Sequence, residues 1–157
     1  MCAIVDANVA NEVFGDSQTA AGKKFLEWIT VGSGVLVVGG KLYDELRVTT
    51  FRYQFEQWAR QATLANKMRI VDTSRVASRE QQIVRGGGYR SDDEHVLALA
   101  QASGARLLYS NDRPLQRDFK DAQLIKRPRG KVYSTLLSKE FSREHRSMLS
   151  RKDLCNA

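Results

Sequence analysis

The sequence predicts an α/β protein, a three-layer α/β/α sandwich around a central, mostly parallel sheet. Three observations lead there. Short apolar runs alternate with stretches of helical periodicity along most of the chain. One run, Val35 to Val38, is continuous, apolar and flanked by glycines, the pattern of a strand buried on both faces. The 157 residues, 42% hydrophobic and 27% charged, suffice for a single packed core without structural metals or a disulfide framework.

Taken in order, Cys2 to Val5 is a brief apolar run that reads as a first strand ending at Asp6. Asn8, Val9, Val13 and Phe14 suggest a short helix. Asp16 and Ser17 are good cap residues for a second helix with Phe25, Trp28 and Ile29 on one face. After the strand at Val35 to Val38, the spacing of Leu42, Leu46, Phe55, Trp58, Ala62 and Ala65 supports one or two helices, broken around Val48 to Thr50. Met68 to Val71 reads as a strand, and Ser74 to Val84 as a helix that runs out at Gly86-Gly87-Gly88. Ser91 to Glu94 resembles a capping box for a helix closed by Gly104. Ala105 to Tyr109 is a strand, Asp112 with Pro114 opens a helix, and Ala122 to Ile125 reads as a last short strand.

Charge is distributed unevenly. Residues 1 to 112 carry 13 basic and 13 acidic side chains, so the net charge of +7 arises after Asp112, where 12 basic residues face 5 acidic ones. Arg113, Arg117, Lys126, Arg127, Arg129 and Lys131 fall in this basic flank, which suits a polyanion such as RNA or DNA. A solvated basic surface is the plainer reading of any single cluster. Cys2 and Cys155 have no metal-ligand spacing and suggest neither a disulfide framework nor a zinc site, so a reducing cytoplasm suits them. No basic leader precedes the first apolar run, and no run is long enough to span a bilayer, so neither targeting nor membrane insertion is expected.

In parallel sheets ligands bind beyond the carboxyl ends of the strands. Asp6 and Asp112 follow strands there, Glu45 lies in the helix after Val35 to Val38, and Asp93 begins the helix that leads back to Ala105. Carboxylates gathered at such an edge repel one another unless a cation lies among them, and hard oxygen donors favour Mg²⁺ or Mn²⁺. Capping alone also accounts for acids at helix starts, which covers Asp6, Asp92, Asp93 and Asp112 taken singly. Glu45 lies within its helix and breaks that explanation.

Four segments resemble the PIN-domain family, in order and on matching elements: Ile4 to Asn8, Leu42 to Leu46, Asp92 to Ala100 and Leu107 to Asp112. The resemblance covers residues 1 to about 125 and leaves 126–157 as a basic C-terminal extension with no assignment. It implies a PIN-like fold and a Mg²⁺- or Mn²⁺-dependent nuclease whose acids are Asp6, Glu45, Asp93 and Asp112. Asp6, Asp93 and Asp112 would bind metal, and Glu45 would complete the shell or orient the attacking water. Asp93 is preferred to Asp92 because Val96, Ala98 and Ala100 follow it at the family's offsets. Asn8, Asp92, Ser110 and Asn111 are candidates for supporting positions. The family often carries another acid soon after its fourth, whereas here Arg113 and Pro114 intervene before Asp118.

The resemblance further implies RNA, or DNA, as substrate, an antitoxin protein as partner, and pairing of two chains, for which residues 51–65 offer a face. The alternative is a PIN-like module that binds nucleic acid or protein without cutting it. Retention of all four acids favours the enzyme. A phospho-acceptor receiver domain is disfavoured because Asp6 has no acidic neighbour. Gly86 to Gly88 reads as a flexible connection, Gly39-Gly40-Lys41 lacks the spacing of a phosphate-binding loop, and His95 is expected at the surface or behind the metal ligands.

Overall fold

The computed structural model describes residues 1–155. Five strands, β1 (Cys2–Val5), β2 (Val35–Gly39), β3 (Met68–Val71), β4 (Leu107–Tyr109) and β5 (Lys131–Tyr133), form one sheet in the order β3-β2-β1-β4-β5. Every pairing is parallel. Val5 lies opposite Tyr109, and Tyr109 opposite Tyr133, so β1, β4 and β5 end at a common level. β1 and β4 are wholly buried, whereas the edge strand β3 exposes Arg69 and Ile70. This matches the apolar runs in the sequence: the central strands carry no charged side chain, and the edge strand β3 carries Arg69.

Eight helices surround the sheet: α1 (Ala10–Val13), α2 (Ala20–Thr30), α3 (Gly40–Leu46), α4 (Arg52–Leu64), α5 (Thr73–Gly86), α6 (Glu94–Ser103), α7 (Arg113–Lys120) and α8 (Arg143–Ser150). A 3-10 turn, Ala7–Val9, follows β1. α1, α2 and α8 form one packed group, and α3, α5 and α6 another. The expected α/β sandwich is thus the observed architecture. In the core Phe25 of α2 meets Tyr109 and Tyr133, each with ring centroids 5.1 Å away. Phe25 is fully buried, a transfer worth about 1.5–3 kcal/mol.

The break expected around Val48 to Thr50 separates α3 from α4. Gly104 closes α6 in the left-handed region, φ 82°, and its amide reaches the Ala100 carbonyl. There glycine avoids the clash a Cβ would bring.

Four expectations require correction. Ala122 to Ile125 is a turn, and the fifth strand lies further on at Lys131–Tyr133; the apolar pair Leu124-Ile125 is too short to pair, and Ile125 alone is buried. The boundary at residue 125 does not divide the structure. β5 completes the sheet, the Tyr133 hydroxyl donates to the Ala21 carbonyl at 2.6 Å, and Leu154 is fully buried.

The cysteines are bonded to each other, Cys2 to Cys155, because an antiparallel bridge between Ala105 and Cys155 brings the last residues alongside β4. Finally, no capping box forms at α6. Asp93 is the N-cap residue, yet its side chain caps nothing, and Ser91 Oγ accepts the Asp93 amide only at 3.4 Å.

Candidate functional site

Strand order locates the site. Successive strands step from β1 to β2 to β3 on one side of β1, and β4 and β5 lie on the other. The direction reverses between β1 and β4, and the loops leaving their carboxyl ends diverge to open a crevice. Asp6 is the first residue after β1, and Asp112 stands three residues after β4 as the N-cap of α7. The other two acids come from α3 and from the N-cap position of α6.

Asp6 is buried, 5% exposed, and its Oδ2 accepts a 2.7 Å bond from Ser110 Oγ. The same Ser110 oxygen accepts the Asp112 amide at 3.1 Å. One buried hydroxyl therefore ties the end of β1 to the start of α7. Asp112 Oδ1 accepts the Leu115 amide at 3.1 Å, so this acid does cap its helix, as its sequence position suggests. Asp6 and Asp93 make no such side-chain caps. Capping thus accounts for only one of these three acids.

Electrostatics unites the four. Burial pushes the Asp6 carboxyl above its usual range, and the negative charges of Asp112 and Glu45 add to the effect while Ser110 opposes it. Burial, with the charge of Asp6 and of Asp112, pushes Asp93 up to about 6 against the pull of His95. Among the described residues no Lys or Arg pairs with any of the four.

Glu45 is about one-third exposed and faces His95 Nε2 at 3.3 Å. His95 is buried, which corrects the surface alternative, and its Nδ1 has no partner. The ring is oriented toward Glu45 alone.

Among the described residues no group of three or more His, Cys, Asp or Glu side chains is arranged to hold a metal ion. The donor set nevertheless fits a hard cation. It consists of carboxylate oxygens that repel one another and, among the described residues, have no Lys or Arg partner, and Mg²⁺ is commonly held by one or two carboxylates while keeping several waters. A cation among Asp6, Asp93 and Asp112 would relieve the repulsion that raises Asp6 and Asp93.

The supporting candidates fall into different places. Ser110 is at the centre of the arrangement. Asn8 is exposed and its Oδ1 meets the Asn111 amide at 3.5 Å. Asn111 turns away from the acids: its Nδ2 donates to Thr135 Oγ1 at 2.8 Å and Glu12 Oε1 at 3.3 Å, and its Oδ1 accepts the Thr135 amide at 2.9 Å. It fastens the segment after β5. Asp92 is exposed, so Asp93 is the acid of that pair directed at the others. Arg117, Lys126, Arg127 and Arg129 are exposed, and Arg113 and Lys131 line a cleft beside α7.

Three supporting residues escape a sequence reading. Gln116 Nε2 donates to the Ser110 carbonyl at 2.7 Å. Buried Asp118 accepts the Arg90 and Ser91 amides at 2.9 and 2.8 Å, which fixes the segment leading to Asp93. Glu12 accepts from the Tyr109 hydroxyl at 2.8 Å and from Thr135 Oγ1 at 2.7 Å. Burial, with the Glu12 hydrogen bond, pushes the Tyr109 phenol up, so it stays a donor. Only Asp118 carries a signal, being an acid on the buried face of a helix.

No curated protein matches the chain. A chain of the crystal structure of VapBC2 from Rickettsia felis, bound to a DNA fragment from their promoter, has a similar fold. The TM-score is 0.54 at 12% identity, over 85% of this chain and 98% of that one. At that identity the likeness speaks for the fold alone. The model of the PIN-domain family matches residues 3–120, which is most of the chain and includes all four acids, so the protein belongs to the PIN-domain family.

Proposed function

We propose that this protein is a divalent-metal-dependent endoribonuclease of the toxin type. One observation carries the reading: Asp6, Glu45, Asp93 and Asp112 gather at the strand-order reversal, where Asp112 and Glu45 act on buried Asp6, Asp6 and Asp112 act on Asp93, and among the described residues no Lys or Arg pairs with any of them. Such a conflict has a function if a cation is the missing partner. A non-catalytic module has no need to maintain it.

In this reading Asp6, Asp93 and Asp112 hold Mg²⁺ or Mn²⁺ directly or through water. The bound ion would supply an acidified water and charge stabilisation at the leaving oxygen. Ser110 keeps Asp6 and the Asp112 backbone in register, leaving one Asp6 oxygen free of that bond. Glu45, held by His95, offers a partly exposed carboxylate and serves to orient the attacking water or complete the ion's shell.

The neighbour solved as VapBC2 with promoter DNA motivates an antitoxin protein as partner. RNA as substrate implies the cytoplasm, and no helix among the described residues is long and apolar enough to cross a membrane. A second copy of the chain would meet the exposed side of α4, where Tyr53 and Leu64 are 69% and 82% exposed.

Cleavage of matched RNA and DNA substrates with Mg²⁺, Mn²⁺ or EDTA tests the reading. The wild type should cut RNA with either ion and not with EDTA. Asp6→Asn and Asp112→Asn should each lose at least about 100-fold, the scale of a lost metal-site ligand. Equal activity in the variants would remove the metal-site assignment, and preference for DNA would remove the ribonuclease.

A further inference from the structure

We propose that the cleft between α7, β5 and α8 binds a single-stranded stretch of nucleic acid and feeds it to the acidic site. The inference rests on the nuclease reading above and identifies how its substrate is held. The cleft has a volume of about 660 Å³, within the range of ordinary ligand clefts. That is room for a short stretch of single strand.

Its charge is one-sided. Arg113, Lys120, Lys131 and Arg143 line it against the single acid Glu144. Among the described residues none of these four cations forms an ion pair. Two come from α7, one from β5 and one from the first turn of α8, so three successive elements bring their cations to one groove. Converging cations without ion pairs attract a polyanion.

Leu136 and Leu137, 42% and 93% exposed, also line the cleft. Apolar side chains beside a cationic track suit unstacked bases, which a duplex hides. The groove is linked to the site through α7, whose N-cap is Asp112. Gln116 lines it and holds the Ser110 carbonyl, while Ser110 holds Asp6. Arg113 directly follows Asp112. Most of the groove lies beyond residue 120, outside the segment that matches the family.

The variants to make are Lys120→Ala with Arg143→Ala, both exposed and forming no ion pair with the four acids, and Arg143→Ala alone. Binding is measured in EDTA by fluorescence anisotropy with labelled single-stranded RNA, single-stranded DNA and duplex RNA over a range of salt. The double variant should bind single strands roughly tenfold more weakly and reduce the slope of log affinity on log salt by about 1.4, or about 0.7 per lost contact. Arg143→Ala should do about half of this, and Arg85→Ala on α5 nothing.

An unchanged slope and affinity in a double variant that melts like wild type would overturn the proposal. So would duplex bound as tightly as single strands, or a loss confined to an acidic polyglutamate peptide, which would mark a protein-binding groove. Hydrolysis of bis(p-nitrophenyl) phosphate, too small to reach the groove, separates the two readings. The double variant should hydrolyse it like wild type. If wild type hydrolyses neither it nor RNA with any ion, the nuclease reading fails while strand binding still decides the groove.

Discussion

At Asp93, burial and the charges of two other acids push the carboxyl up to about 6. The unfolded chain releases that proton near the ordinary value of about 3.9. Between those limits the folded state binds more protons, so this group's contribution to stability is present below the unfolded value and lost as pH rises through the folded one. In EDTA the protein should therefore gain stability from this residue on acidification from pH 7 to pH 5. Asp93→Asn should remove that gain and stabilise the metal-free protein at pH 7 by about 1 kcal/mol, discounted for partial exposure. Thermal unfolding at both pH values measures it. A variant less stable than wild type at pH 7, with the wild-type pH response intact, would show that Asp93 is not held against repulsion. The same substitution should abolish cleavage, the trade-off expected where function maintains a charge conflict.

At the scale of elements, α6 begins without a side-chain cap from Asp93, and the order of the preceding segment is supplied from α7. Asp118 accepts the amides of Arg90 and Ser91, so one helix positions the start of another. Asp118→Ala leaves those amides without their acceptor and should lower stability by about 2–3 kcal/mol, read by chemical denaturation. Hydrogen exchange should accelerate at Ser91 and spread to Asp93, and RNA cleavage should fall although Asp118 touches no metal position. Exchange at Ser91 unchanged in Asp118→Ala would sink the coupling. This bond was not legible in the sequence, because the partners lie 27 and 28 positions apart and no local pattern joins them. The Glu12 bonds to Tyr109 and Thr135 are hidden for the same reason. The places of Asp6 and Asp112 beyond β1 and β4 were legible because the parallel-sheet rule converts a strand end into a location, which is a local signal, whereas Glu45 and Asp93 were assigned only through the resemblance. β5 was missed because Val132 is the sole aliphatic residue in Lys131–Tyr133, too short a run to show periodicity. Its pairing depends on β4 already being in place.

At the scale of the whole molecule, the strand-order reversal puts the site at the centre of the sheet, and Cys2–Cys155 ties the chain's last described residue to the strand whose other end leads into Asp6. The bond is invisible to spacing rules because its cysteines are 153 positions apart and meet only after β4 has received the returning segment. That segment is also held without the disulfide: the Arg106 amide donates to the Leu154 carbonyl at 3.1 Å, and Leu154 is fully buried. Reduction should therefore leave the fold intact but less stable. Closing so long a loop constrains the unfolded chain, a stabilisation of about 2–5 kcal/mol on the chain-entropy account. Calorimetry of the wild type should show a lower Tm with reductant than without, and Cys155→Ser should melt at the reduced value in both conditions. In a reducing cytoplasm the thiol form would prevail, so cleavage of RNA under reductant at moderate temperature should match that of the oxidised protein. Wild-type melting that ignores reductant would show that the bond contributes nothing, and loss of the folded transition on reduction would show that the contacts of Leu154 and Arg106 cannot hold the segment alone.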